Sequence, residues 1–298
     1  MDSRSDMPSR TAPPLLPVGS LLLGMLSFQF GTALAKQLFP LVGAQGATAL
    51  RIGLGALILW LLRQPWRRLA GRHDWASMWG YGLTLGAMNL CFYMALRTIP
   101  LGVAVALDFL GPLAIALFGS RRALDFVWAA LAIAGLALLL PWRAQTQPLD
   151  VVGVLYALAA AVGWATYILL GRRAGAAFGG DAVALGSAIG ALIAVPVGVV
   201  HAGAALFSLA ALPFALGVAV LSSALPYSLE MYGLTRLPAR TVGILMSAEP
   251  AMGALLGLAF LGEHLTVLQW LAIAAIIAAS VGAVLGARAT SVEIVEIG

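Results

Sequence analysis

Four ionisable side chains fall inside or at the edge of long apolar runs: Arg51, Asp108, Glu230 and Glu249. An ionised group at the bilayer centre costs roughly 2.5–3.5 kcal/mol on insertion scales, so such groups face a bundle interior or a wet cavity. Arg51 can bind an anion and can hold a carboxylate through two N–H groups at once. Asp108 can bind an ammonium group or carry a proton. Paired with each other, the same two would instead form a structural ion pair joining two helices. Glu249 stands directly before Pro250. Proline removes a helix hydrogen bond and frees a carbonyl. A carboxylate beside such a break can bind a cation or carry a proton. Glu230 is followed by Arg236 and Arg240, and either pairs with them at an interface or faces a pathway. Gln29 and Asn89 add uncharged polar groups. Tyr93, Trp164, Tyr167 and Tyr227 offer an apolar body with a polar tip, for lining a pathway or for packing.

The elements that must position these groups follow from composition. The chain has 298 residues, of which 61% are hydrophobic and 10% charged, and its mean hydropathy is +0.98. Soluble domains carry about 25% charged residues, so this chain cannot coat a water-facing surface. Disorder, a soluble enzyme and a large extramembrane domain are excluded. Ten apolar runs are legible: 17–35, 44–62, 76–96, 102–118, 126–141, 151–170, 182–201, 211–233, 241–260 and 266–286. They lack the period-two alternation of barrel strands and far exceed the length of one, which is about 10 residues. The predicted class is an all-α membrane protein with ten transmembrane helices. Residues 1–16 and 287–298 read as cytoplasmic tails.

Orientation comes from the basic residues. With the N-terminus in the cytoplasm, 13 of the 17 lysines and arginines fall on the inside. Only Lys36, Arg97 and Arg143 fall outside, and Arg51 is within a helix. The basic excess, +5 net, thus orients the chain in a lipid bilayer and does not imply nucleic acid. The same order of residues recurs in the two halves. Pro100 and Pro112 match Pro238 and Pro250 at one offset, as do Ala116-Leu117 and Ala254-Leu255. Gly55-Ala56-Leu57-Ile58 matches Gly190-Ala191-Leu192-Ile193 at a nearby one. Residues 17–141 and 151–286 therefore read as two copies of a five-helix unit. Five is odd, so the second copy enters the membrane from the opposite side, a common plan of secondary transporters.

On this topology Arg51 and Asp108 lie about 9–10 Å below the outer face at 1.5 Å per residue. Asn89 and Gln29, counted from their own ends, share that level. Under the repeat, Glu249 maps onto Gly111, three residues from Asp108 and on the same helical face.

Enzyme signatures are missing. There is no zinc-type His-Glu-x-x-His, no nucleophile elbow and no Walker loop. The lone Cys91 supports neither a disulfide nor a metal site. No cofactor and no metal are expected.

The chain resembles the drug/metabolite transporter superfamily in its EamA-type branch. The likeness is carried by Ala33-Leu34-Ala35-Lys36 with Leu38-Phe39-Pro40, by Thr48-Ala49-Leu50-Arg51, and by Pro100-Leu101-Gly102-Val103-Ala104. It continues through Gly111-Pro112-Leu113 and Ser120-Arg121-Arg122. The sharpest stretch is Ala224-Leu225-Pro226-Tyr227-Ser228-Leu229-Glu230-Met231, and Glu249-Pro250 closes the set. The resemblance implies glutamate at the position where this chain has Asp108. The resemblance covers about residues 17–286. It implies two inverted five-helix repeats around a central cavity, in the bacterial inner membrane, with both termini cytoplasmic. Its nearest branch implies export of threonine, homoserine and related small amino acids, driven by the proton motive force. An exporter of other metabolites or drugs is the alternative within the superfamily, and an intramembrane enzyme or a non-transporting membrane protein is the remote one. A zwitterion needs one cationic and one anionic partner, which Arg51 with Asp108 or Glu249 can supply.

Overall fold

The computed structural model describes residues 15–67, 74–118, 123–139, 149–226, 229, 232 and 245–286. Among them every regular element is helical. In chain order these are α1 (Leu15–Gln37), α2 (Phe39–Arg63), α3 (Trp75–Ala95), α4 (Leu101–Asp108), α5 (Leu110–Phe118) and α6 (Ala123–Leu139). Then follow α7 (Val151–Phe178), α8 (Ala182–Ala202), α9 (Ala211–Ala219), α10 (Glu249–Leu261) and α11 (Val267–Gly286). Tyr227, Glu230 and the arginines at 236 and 240 lie outside the described residues, as do both tails.

The burial pattern is that of a membrane protein. Large apolar side chains such as Leu57, Leu62, Phe126, Ile133, Val162, Leu192 and Phe214 point outward. Gln29, Thr32, Thr48, Arg51 and Asn89 are buried. Lipid is as apolar as leucine, so only the polar groups and small residues gain from the interior. Leu15–Gln37, Phe39–Arg63 and the stretch Val151–Phe207, which holds α7 and α8, are long and apolar enough to cross a bilayer. The other apolar stretches singled out among the described residues are shorter, so these residues do not by themselves yield ten spans.

Three expected spans are interrupted, each at a proline. The run 102–118 turns at Phe109 between α4 and α5. Pro112 has no N–H to give the carbonyl of Asp108, four residues back. The run 241–260 turns at Ser247–Ala248, just after Met246, whose carbonyl is deprived in the same way by Pro250. The run 211–233 leaves α9 for a five-residue π turn, Val220–Ala224, two residues before Pro226. Helix starts are set by side chains where they meet water. Asp74 accepts from the Ser77 backbone and hydroxyl, and Asp150 accepts from the Gly153 N–H at 2.8 Å. These bonds, led by the Ser77 hydroxyl for Asp74 and by Thr98 for Asp150, hold both carboxyls below the usual carboxylate range.

The helices pack across the chain. Helix α2 lies on α8, α3 on α7 and α8, α4 on α10, and α6 on α11. Helix α1 lies against the π turn, α9 and α10. At the far end of α1, Lys36 forms an ion pair with Glu263, the residue that follows α10 and its glycine. The second Glu263 oxygen accepts the N–H of Leu101 at 2.7 Å. Leu101 opens α4, whose own cap, Pro100, offers no side-chain bond. The carboxylate therefore caps α4 from the other half of the chain.

The α4–α10 contact depends on a missing side chain. A β-carbon on Gly102 would fall 2.5 Å from both Cα and Cβ of Ala254. Backbone cannot step aside as a flexible side chain can, so Gly102→Ala should destabilise the protein by about 1–3 kcal/mol. Thermal unfolding in detergent measures this. Gly175→Ala is the control, because its added carbon meets nothing within 4 Å. An unchanged midpoint for Gly102→Ala would show that α10 shifts freely.

Candidate functional site

Arg51 stands on the face of α2 formed by Ala44, Ala47, Thr48, Ile52 and Gly55, all buried. The spacing is that of one helical stripe, and its small residues let neighbouring helices close around the arginine. The side chain is 1% exposed. Its Nε donates to the Ser222 hydroxyl at 2.9 Å, and Nη2 donates to the Ser222 carbonyl at 3.0 Å. Nη1 donates to Oδ1 of Asn89. The guanidinium carbon lies 4.9 Å from the Phe28 ring centre and 5.4 Å from that of Tyr93, within the range of cation–π attraction.

Each acceptor is itself oriented. The Asn89 amide nitrogen donates to the Leu85 carbonyl at 2.8 Å, which turns its oxygen toward Arg51. The Ser222 hydroxyl donates to the Val218 carbonyl at 2.6 Å, which leaves its lone pairs for Nε. The free carbonyls arise from Pro226. It is four residues after Ser222 and five after Leu221, the two offsets that α and π geometry use, and it has no N–H. The Leu221 carbonyl accepts from the Ser27 hydroxyl at 2.7 Å, and that of Ser222 accepts from Arg51. Close approach of the π turn to α1 needs Gly31, where a β-carbon would sit 2.7 Å from the Ser222 nitrogen.

Arg51 and Asp108 do not form the structural ion pair that remained open from their spacing. Among the described residues, every partner of Arg51 is neutral. Asp108 ends α4, and its buried Oδ1 has no hydrogen-bond partner. Shared depth did bring Arg51 and Asn89 together, while Asp108 bonds to neither. Gln29 is 1% exposed and its Oε1 is also without a partner. It lies against α10, where a β-carbon on Gly253 would be 3.4 Å away. The Tyr93 hydroxyl is fully buried beside Thr32, Ser222 and Arg51, but makes no hydrogen bond of good geometry.

Glu249 is the first residue of α10 and is buried at 5% exposure. Trp164 packs edge-on against Phe109, the turn residue after Asp108, at 5.7 Å between ring centres. Tyr167 belongs to a different group, stacked on Tyr81 with their hydroxyls 3.0 Å apart. Tyr227 and Glu230 fall outside the described residues. Ser222, Phe28 and Thr32 were missed from sequence. The only signal for Ser222 was Pro226, in the stretch that carries the sharpest family likeness.

The interior thus holds a cation with neutral partners and separate acceptor oxygens with unfilled lone pairs. Among the described residues no cluster of His, Cys, Asp or Glu suits a metal ion. Such an interior offers groups complementary to both signs of charge.

Comparison with known proteins adds to this geometry. The model of the EamA-like transporter family matches residues 151–285. The threonine/homoserine exporter RhtA of Escherichia coli K12 is 54% identical over 282 residues, which is 95% of this chain and 96% of the relative. The protein of the same name from Salmonella typhimurium LT2 is 54% identical over 280 residues, 94% of this chain and 95% of its own. A solved crystal structure matches with a TM-score of 0.57 at 21% identity, over 92% of this chain and 97% of its own, and so shares the fold. With more than half its residues shared with such relatives along nearly their whole length, the chain belongs to the EamA-like transporter family.

Proposed function

We propose that this protein exports threonine, homoserine and related small amino acids across the bacterial inner membrane, driven by the proton motive force. The observation that carries the substrate is the 54% identity, over almost the whole chain, to exporters named for threonine and homoserine. The interior supports it independently. Arg51 holds the substrate carboxylate, with Asn89 beside it and the Tyr93 hydroxyl in reach of the same space. Asp108 and Gln29 offer buried oxygens to the ammonium group. Trp164 backs the Asp108 turn, and Glu249, at the matching break in the other half, carries the proton. Tyr227 and Glu230 join the proposed set on their sequence alone.

The architecture proposed is ten spans in two inverted five-helix repeats, 17–141 and 151–286, with both termini cytoplasmic. Two features support it. The breaks before Pro112 and Pro250 fall at repeat-related positions. The helix pairs that would lie on a two-fold axis, α2 with α8, α4 with α10 and α6 with α11, pack on one another.

The test is uptake of labelled threonine and homoserine into inverted membrane vesicles. Uptake should require the protein and should collapse when a protonophore removes the gradient. Vesicles holding the protein at a normal level and taking up neither amino acid would overturn the reading.

A further inference from the structure

We infer that Asn89 makes the site specific for a carboxylate because it orients Arg51 without neutralising it, and that Ser222 is the residue positioning the guanidinium. The inference rests on the reading of Arg51 as the carboxylate-binding group, and deepens it.

A guanidinium at 1% exposure has lost its water, and a charge removed from water is strongly destabilised unless an opposite charge compensates it. Here the contacts are the Ser222 hydroxyl and carbonyl, the Asn89 oxygen and two ring faces. All are dipoles or quadrupoles, and none carries a charge. Lys36 and Glu263 show the contrast, a cation paired with an acid elsewhere in the bundle. The positive charge of Arg51 is therefore held in place and left over.

Hydrogen-bond counting leads to the same place. A guanidinium has five N–H donors. Ser222 takes the side edge, Nε and one N–H of Nη2, and Asn89 takes one N–H of Nη1. One N–H remains on each terminal nitrogen, the number that a carboxylate accepts when bound by two points. Ser222 can occupy the side edge with both its hydroxyl and its carbonyl only because the π turn and Pro226 leave that carbonyl free. It holds the plane of the guanidinium and so aims the two remaining donors.

Asparagine and aspartate have nearly the same shape, so Asn89→Asp adds a negative charge beside Arg51 and gives up the bond from the amide to the Leu85 carbonyl. Aspartate would accept the same bond and supply the counter-charge that the substrate otherwise brings. The experiment is counterflow in proteoliposomes with labelled threonine, competed by unlabelled threonine or by threoninamide, which replaces the carboxylate with a neutral amide. The parent should prefer threonine. In Asn89→Asp the half-saturating threonine concentration should rise about tenfold or more, one compensated charge-assisted contact, and the preference over threoninamide should shrink by a similar factor. An unchanged preference in folded Asn89→Asp would overturn the inference. If Asn89→Asp fails to fold, Ser222→Ala decides it against the parent. Ala removes the acceptor at Nε and should raise KM several-fold with the maximal rate little changed. A parent-like KM in folded Ser222→Ala would overturn the inference. A parent protein that shows no threonine counterflow would instead fail the underlying functional reading.

Discussion

Arg51→Lys should lower threonine export by about ten- to a hundredfold while the protein stays in the membrane at near its normal level. Lysine keeps the charge but not the planar set of donors. An ammonium group cannot span the Ser222 hydroxyl and carbonyl and also reach Asn89, contacts made by three different nitrogens of Arg51. Losing one hydrogen bond to a charged group costs about 1.5–3 kcal/mol, which sets the size of the loss. Initial uptake rates in inverted vesicles, normalised to protein amount, measure it. Full activity in Arg51→Lys would mean that a point charge suffices and that the guanidinium geometry is incidental. The same geometry predicts no rescue of Arg51→Ala by Asp108→Ala, since the two side chains are not paired and removing the acid relieves no orphaned partner.

Glu249→Gln should abolish accumulation driven by an imposed pH gradient and leave exchange of labelled for unlabelled threonine largely intact. Glutamine fits the same buried space at the start of α10 but cannot take up and release a proton. On the proposed mechanism, net movement against a gradient needs that proton, whereas exchange does not. The paired measurement is accumulation under a gradient and counterflow without one. Accumulation equal to the parent's would remove Glu249 as the coupling group and make Asp108→Asn the next variant to measure. Full response to the gradient in both would exclude a proton carried by either carboxylate.

The all-helical, membrane character was legible because a membrane is a simple solvent. Apolar runs near 20 residues and a low charge content point to it. Pro112 and Pro250 even marked where the helices turn, at Phe109 and at Ser247–Ala248, although the runs around them looked continuous. The site was only partly legible. Depth placed Arg51 and Asn89 at one level, and they do bond. Depth said nothing of azimuth, so Asp108, at the same level, was an equally good partner on paper and is not one in the fold. Ser222 could not be found by looking for charge, because it acts through a neutral hydroxyl and a backbone carbonyl. Its cause is a missing N–H at Pro226, a chemistry of absence that residue type alone announces weakly. Glu263 was passed over for a different reason. It sits in a short polar connection, and only the fold shows Lys36 and the Leu101 amide converging on it.

That carboxylate has a bearing on how the chain is made. Glu263 completes the first turn of α4 from 162 residues downstream, and it reaches Lys36 across 227. A ribosome adding about 5–20 residues per second delivers it on the order of 10–30 s after Leu101. Through that interval α1 and α4 have already been synthesised, yet the start of α4 lacks its cap and Lys36 lacks its counter-charge. The first half of the protein is thus a waiting structure, finished by a residue that arrives almost last. Biogenesis in this chain runs backward at one point: an early helix acquires its final end only when the tenth apolar run begins to emerge.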